Sequence, residues 1–268
     1  MLIIWLVKLD IRLHIPMYFF VSSLSFVEMW YTSVTMPKML ADLLSNDKRI
    51  SLLGCITQFY FFVSLGTTED GLLMIMAFDR YLAICKPLRY NSIMSNTFCC
   101  KLIVLCYIVG FVSPVIPVAY ISQLSFCAPN KIDHFLCDFD PLLKLSCNDT
   151  FLSKLTCFVL ATTVISVCSV VILSTYICII SSILRIPSNR GRQKAFSTCS
   201  SHLTLVILLY VTSGFMYIRP LEQESSHYEK FVSIFYSVII PLLNPLIYSL
   251  RNQQIREALR KAMNKKHT

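Results

Sequence analysis

Charge is what this chain has least of. Only 15% of its 268 residues are Asp, Glu, Lys or Arg, where a soluble domain carries about 25%. Hydrophobic residues make up 55%, and the mean hydropathy is +0.63. That bias argues against a soluble domain and points to the bilayer. Other absences narrow the function. The net charge is +9, but no basic residues gather on a soluble face, so nucleic acid is not a partner. The cysteines Cys127, Cys137 and Cys147 are spaced x9 and x9 and include no close C-x-x-C pair, which speaks against a zinc site. The Ser/Cys/His cluster at 197–202 has no partner acid at a defined spacing, so no enzymatic constellation emerges. No internal duplication with broken midplane helices is visible, which leaves a small-molecule transporter the weaker alternative.

What is present is a series of apolar runs. Residues 16–37 hold one charge, Glu28, and residues 51–78 hold Glu69 and Asp70. Residues 102–121, 155–184 and 231–250 hold none, and 195–218 hold only His202. A span needs about 20 apolar residues to cross a hydrocarbon core of about 30 Å. Inside lipid the backbone must satisfy itself, and runs this continuous suit helices better than barrel strands. The expected fold is an all-α membrane bundle of one domain, 1–268. Its helices are expected over 16–43, 51–84, 99–121, 151–184, 194–218 and 229–250. Before them stands an apolar stub, 1–7, which reads as the inner end of a first helix whose outer part is missing.

Basic residues set the orientation. The connections 8–15, 80–95 and 185–194 and the tail 251–268 fall on one side and hold fifteen of the 24 Lys and Arg. That side is expected to be cytoplasmic, with the C-terminus inside and the basic excess drawn to anionic lipid. The outer side then carries short connections at 44–50 and 219–230 and one long loop, 122–150. Cys55, Cys127, Cys137 and Cys147 lie on that oxidising side, an even set with three possible pairings. The one glycosylation sequon is Asn148-Asp149-Thr150, beside Cys147.

One charge pair interrupts the pattern. "MAFDRYLAICKPLRY" (76–90) places Asp79 and Arg80 at the cytoplasmic end of the third expected helix. This segment resembles the D-R-Y region of rhodopsin-like G-protein-coupled receptors, in the wording used by olfactory receptors. "LHIPMYFFVSSLSFVEMWYTSVTMPKML" (13–40), "KAFSTCSSHLTLV" (194–206) and "PLLNPLIYSLRN" (241–252) are similar to that family's other motifs, in the same order. The "HFLCD" and "KLSC" pieces of the long loop resemble its larger, tetrapod-type group.

The resemblance implies a seven-transmembrane rhodopsin-like bundle in the plasma membrane, with a short amphipathic helix at 252–263. It implies no enzyme activity, an odorant as ligand, and a heterotrimeric G protein of the stimulatory olfactory type as partner. Asp79, Arg80 and Tyr81 would form the coupling switch, with Tyr176, Asn244, Pro245 and Tyr248 rearranging on activation. The family's pairing would join Cys55 to Cys137 and Cys127 to Cys147. By matched position the pocket would lie in the outer half. It would be lined by Phe62, Val63, Gly66 and Thr67 on the third helix, Leu160 and Val164 on the fifth, and Tyr210, Ser213, Gly214 and Tyr217 on the sixth. Such a lining suits a small, mostly apolar ligand. An aminergic receptor would need an acid at Phe62, and an opsin a lysine within 231–250; neither is there.

Glu28, Glu69 and Asn244 would meet in mid-bundle. A sodium ion could sit there, or one or both carboxyls could stay protonated; the expected role is polar packing. Asp70 departs from the apolar or cysteine residue the family would place beside Glu69. The short stub is the other departure. It cannot reach the outer face, so the chain as written is expected to fold poorly, stay in the endoplasmic reticulum and not signal.

Overall fold

A computed structural model describes residues 2–45, 48–127, 131–132, 134–217 and 232–251, together with 255, 257 and 260. The described chain is helical. Its one extended pairing is an isolated bridge between Phe126 and Ser146 in the long loop. Helix α1 runs Leu2–Leu9, and a 3-10 turn, Ile11–Leu13, leads to α2, Pro16–Leu44. Pro16 suits the first turn of α2, because the missing N–H would have had no helical partner there. Helix α3, Leu52–Cys85, opens on Ser51, whose hydroxyl accepts from Gly54 N. A cap of this kind is worth about 1 kcal/mol.

The expected 99–121 helix is two helices, α5 (Asn96–Val112) and α6 (Val115–Ser122), preceded by a short α4 (Pro87–Ile93). Pro114 explains the break. It has no N–H for the Gly110 carbonyl four residues back, and its ring crowds that turn. The Ser113 hydroxyl takes over as donor to Gly110 O at 3.1 Å. Helix α7 (Phe139–Leu143) lies in the long loop, and α8 spans Phe151–Leu184.

Helix α9 runs Asn189–Tyr217, so the basic stretch Arg190–Arg192–Lys194, expected within a connection, is helical. Its start uses Ser188 Oγ, which accepts from Gly191 N. Further on, Phe235–Ile239 is a π turn, followed by α10, Ile240–Arg251. Pro241 cannot donate to Ser237 O, and Ile240 N reaches instead to Phe235 O. The buried Thr35 hydroxyl of α2 donates to Tyr31 O at 3.1 Å and is shared with the freed Ser237 carbonyl at 3.4 Å. Most of the expected amphipathic helix 252–263, and the connection 219–230, lie outside the described residues.

Among the described residues, three helices are long and apolar enough to cross a membrane: Leu52–Cys85, Asn96–Ser122 and Phe151–Leu184. The apolar segments His202–Gly214 and Val232–Asn244 are shorter. Helix α2 has the length, but Glu28 and its many hydroxyl residues lower its hydropathy. Burial tells the three long helices apart. The apolar window of α3 is 61% buried, against 22% for Asn96–Ser122 and 11% for α8. Helix α3 is therefore the central post, and the others turn apolar faces outward, as a bilayer allows.

One core joins α1, α2, α3, α5, α9 and α10, around Phe20, Leu24, Leu72 and Leu73. A second, at the Arg80 end, joins α3, α8 and α9 around Ile172, Ile179 and Val206. A third, at the opposite end, gathers Cys55, Phe59, Ile121, Cys137 and Leu142. The seam between α3 and α5 needs glycine. A Cβ on Gly110 would overlap Thr68 Oγ1 and come within 2.7 Å of Ser64 O.

Candidate functional site

Polar groups gather at three levels of the bundle. At the first, Arg80 donates to Asp79 Oδ2 from Nη2 at 2.5 Å and from Nε at 3.1 Å. Adjacent residues on a helix diverge, yet the long guanidinium folds back onto its neighbour. Tyr90 of α4 donates its hydroxyl to the other oxygen, Oδ1, at 2.8 Å. Burial and the Asp79 carboxylate push the Tyr90 phenol above its ordinary pKa, so it stays a donor. Asp79 is 1% exposed and Arg80 9%, so the pair is buried and hydrogen-bonded, not an anchor in solvent. Tyr81 stacks on Phe78 and packs between the first two cores.

The same level holds a second tie. His202 of α9 is buried between Leu73 O at 3.0 Å from Nε2 and the Tyr176 hydroxyl at 2.7 Å from Nδ1. A carbonyl only accepts, so Nε2 carries the proton and Nδ1 accepts from Tyr176. The two rings stack at 5.9 Å. This one histidine links α3, α8 and α9, with Arg80 as an electrostatic neighbour of both rings. The side chains of Pro245 and Tyr248 lie outside the described residues.

Sequence reasoning missed Tyr90, the Leu73 carbonyl and Leu88 at this level, while Tyr176 was expected there. Tyr90 and the specific partners of His202 depend on tertiary contact. Leu88 does not: it follows the basic Lys86 and Pro87, and it is 99% exposed on α4. An apolar residue on a short charged connection was the available signal.

The second level is mid-bundle. Asn244 Nδ2 donates to Glu69 Oε1 at 3.0 Å. Glu28 lies beside both, but neither of its carboxyl oxygens has a hydrogen bond of good geometry, nor does Asn244 Oδ1. All three residues are buried. Among the described residues, no three His, Cys, Asp or Glu side chains converge as metal ligands. The donor set, two carboxyls and one amide, is thin for an ion and sufficient for polar packing. Asp70, next to Glu69, has Cys168, Tyr210 and Tyr236 as electrostatic neighbours, and Tyr236 is a neighbour of Glu69 as well.

The third level is the disulfide end. Cys55 is bonded to Cys137 and Cys127 to Cys147, with Cα atoms 5.3 and 5.7 Å apart. Gln58 secures the first bridge, donating to Val34 O at 3.1 Å and accepting from Cys137 N at 3.2 Å. Asn148 is exposed, and its Oδ1 accepts from Ser125 N.

The expected pocket residues divide between two faces of α3. Phe62 is 5% exposed and packs between Tyr31 and Tyr236, with ring centres 5.3 and 6.1 Å away. Gly66 lets the Tyr236 hydroxyl approach, because a Cβ there would sit 3.2 Å from it. Val63 and Thr67 are half-buried on the other face, as are Leu160 and Val164 on α8 and Tyr210 and Gly214 on α9. Ser213 is buried beside Tyr236. The Tyr217 side chain lies outside the described residues.

Comparison with known proteins adds an independent finding. A profile described as "Olfactory receptor" matches residues 1–266. The chain is 51% identical to human olfactory receptor 6Y1 over 264 residues, 98% of this chain and 81% of that protein. It is 49% identical to human olfactory receptor 11L1 over 264 residues, 98% of this chain and 82% of the relative. It is 48% identical to human olfactory receptor 6N1 over 265 residues, 99% and 85%.

Proposed function

The chain belongs to the olfactory receptor family of multi-pass plasma-membrane G-protein-coupled receptors, and from that premise we propose how it signals. It binds a small, mostly apolar odorant in the outer half of the bundle. It then activates a heterotrimeric G protein of the stimulatory olfactory type, and cAMP rises. The observation that carries this reading is the double tie at the Arg80 end. Asp79 and Tyr90 hold the Arg80 side, and Tyr176 and His202 hold α9 against α3.

The chemistry follows from what those ties restrain. While α9 is bound through His202, Arg80 is engaged by its own helix neighbour and is not available to a partner. Moving α9 away breaks two hydrogen bonds at His202, each worth about 1 kcal/mol net. A ligand that prefers the opened arrangement by a few kcal/mol therefore shifts the population substantially. With α9 displaced the face beside Arg80 is uncovered, and Arg80 then exchanges its Asp79 contact for an acceptor on the G protein. Leu88, exposed on the same side, offers an apolar contact beside it. The basic excess keeps this side and the C-terminus in the cytoplasm. Between the two ends, Glu28, Glu69 and Asn244 serve as polar packing, without an ion requirement.

The test is the full chain expressed with a stimulatory olfactory Gα subunit and screened with small apolar odorants by cAMP. Agonist-dependent cAMP, lost when that Gα is omitted, supports the reading. A ligand response that persists without it, through calcium alone, overturns the G-protein assignment.

A further inference from the structure

Asp70, like Glu28, is an acidic side chain in the bundle that neither tie nor the Glu69–Asn244 hydrogen bond uses. It stands on an α3 stripe, Val63, Thr67, Asp70 and Met74, whose spacings of four, three and four put them on one face. All four are half-buried. Met74 packs into the cluster of Ile172, Tyr176 and Val206 from α8 and α9. Met74 thus sets this face of α3 against α8 and α9, and Tyr210 packs into the same cluster.

The electrostatic neighbours of Asp70 come from three other elements and from α3 itself. They are Cys168 on α8, Tyr210 on α9 and Tyr236 on the π turn, with Glu69 beside it on α3. None of them is basic. Among the described residues Asp70 makes no hydrogen bond or ion pair. The Tyr210 hydroxyl next to it is also buried without a well-formed hydrogen bond. A carboxyl at this depth is expensive unless a cation or strong donor meets it. Leu160, Val164 and Cys168 run down α8 at intervals of four towards the same point.

We propose that Asp70 and Tyr210 form the polar floor of the ligand pocket, and that the pocket takes a small protonated amine with an apolar body. This rests on the receptor reading above and names its ligand class. An ammonium has donors and no acceptor. One N–H goes to the Asp70 carboxylate and a second to Tyr210 Oη. The apolar body lies above, against Val63, Thr67, Leu160 and Val164. An alcohol of the same shape gives Asp70 only a neutral donor, and charge-assisted bonds are about twice as strong.

The experiment uses the full chain in lipid nanodiscs, with thermal stabilisation as the readout. The probes are cyclohexylamine, cyclohexanol and sodium chloride. Wild type is expected to bind cyclohexylamine about tenfold or more tightly than cyclohexanol, and Asp70→Asn to lose that preference while keeping cyclohexanol. Asp70→Glu keeps the charge and is expected to retain the amine preference. If Asp70→Asn does not fold, the wild-type ratio and Asp70→Glu still decide. Equal binding of amine and alcohol by wild type overturns the amine proposal and leaves the pocket standing. Stabilisation by sodium chloride alone that matches the amine makes the site one for an inorganic cation and also overturns it. No binding of either probe or of any neutral odorant overturns both the proposal and the pocket.

Discussion

At the Arg80 end, Asp79 accepts from both Arg80 and Tyr90, and His202 uses both of its ring nitrogens. About 15 Å from Arg80 along α3, and one turn beyond the Leu73 carbonyl, Glu28 makes no well-formed hydrogen bond, Asn244 Oδ1 has none, and Asp70 neighbours a tyrosine hydroxyl that also lacks one. Both levels are buried and both carry acids. The difference lies in completeness. A network with every group satisfied holds one geometry, and breaking any part of it costs the whole desolvation of what is left. A partly satisfied network has contacts to gain from a second arrangement. The Arg80 end thus behaves as a closed latch, while mid-bundle is where a small rearrangement finds favourable new partners.

The strongest way to break that contrast is Arg80→Ala. It removes the side chain that the latch restrains, and the cAMP response should be abolished while surface level and ligand binding persist. A full response from a well-expressed variant would remove Arg80 from the coupling step.

Asn244→Leu is expected to come next. It deletes the one good hydrogen bond in mid-bundle and leaves the Glu69 carboxyl buried without a donor. That should cost about 1–3 kcal/mol and lower Tm by several degrees. An unchanged melting curve would show that the Glu69 contact contributes nothing.

A milder change is Tyr176→Phe, which leaves His202 Nδ1 without its donor and loosens α9. Losing about 1 kcal/mol from the closed state should raise basal cAMP severalfold. Lower basal activity with a normal surface level would mean that the tyrosine hydroxyl favours the open state instead.

The smallest effect is expected of Glu28→Gln. The substitution keeps the shape, and Glu28 has no well-formed hydrogen bond to lose. Tm and cAMP potency should change little, and replacing sodium by N-methylglucamine should change little as well. A large loss of potency in sodium-free buffer, matched by the variant, would restore the ion reading.

The pattern of what was legible in the sequence follows chain distance. Asp79 and Arg80 are neighbours, so their pairing needs only one helix end. The four cysteines expected on the oxidising side could be counted from the sequence, and the resemblance suggested the pairing that the structure has. Pro114 was visible too, yet the helix expected over 99–121 ran through it. An apolar run outweighed a breaker whose consequence is local. The helical start of α9 at Asn189 was hidden because charge was read as connection, although Arg, Gln and Lys are good helix formers. Tyr90 with Asp79, and Thr35 with the Ser237 carbonyl, could not be read at all. Each joins residues whose meeting depends on how separate elements pack.

The sequence by itself determined the membrane class, the helical runs and the family, because hydropathy and local motifs act within one helix or one turn. Tertiary structure alone decided which polar groups are satisfied. The same α3 segment carries Phe62 and Gly66 towards Tyr236, and Val63, Thr67 and Asp70 towards α8 and α9. These five residues fall within nine positions of one helix, so a hydropathy window of membrane-span length takes them together. Their surroundings differ because helix rotation and packing set which neighbour each one meets. The latch at His202 depends on the same cause: a histidine on one helix becomes a three-helix tie only when a carbonyl and a hydroxyl arrive from two others.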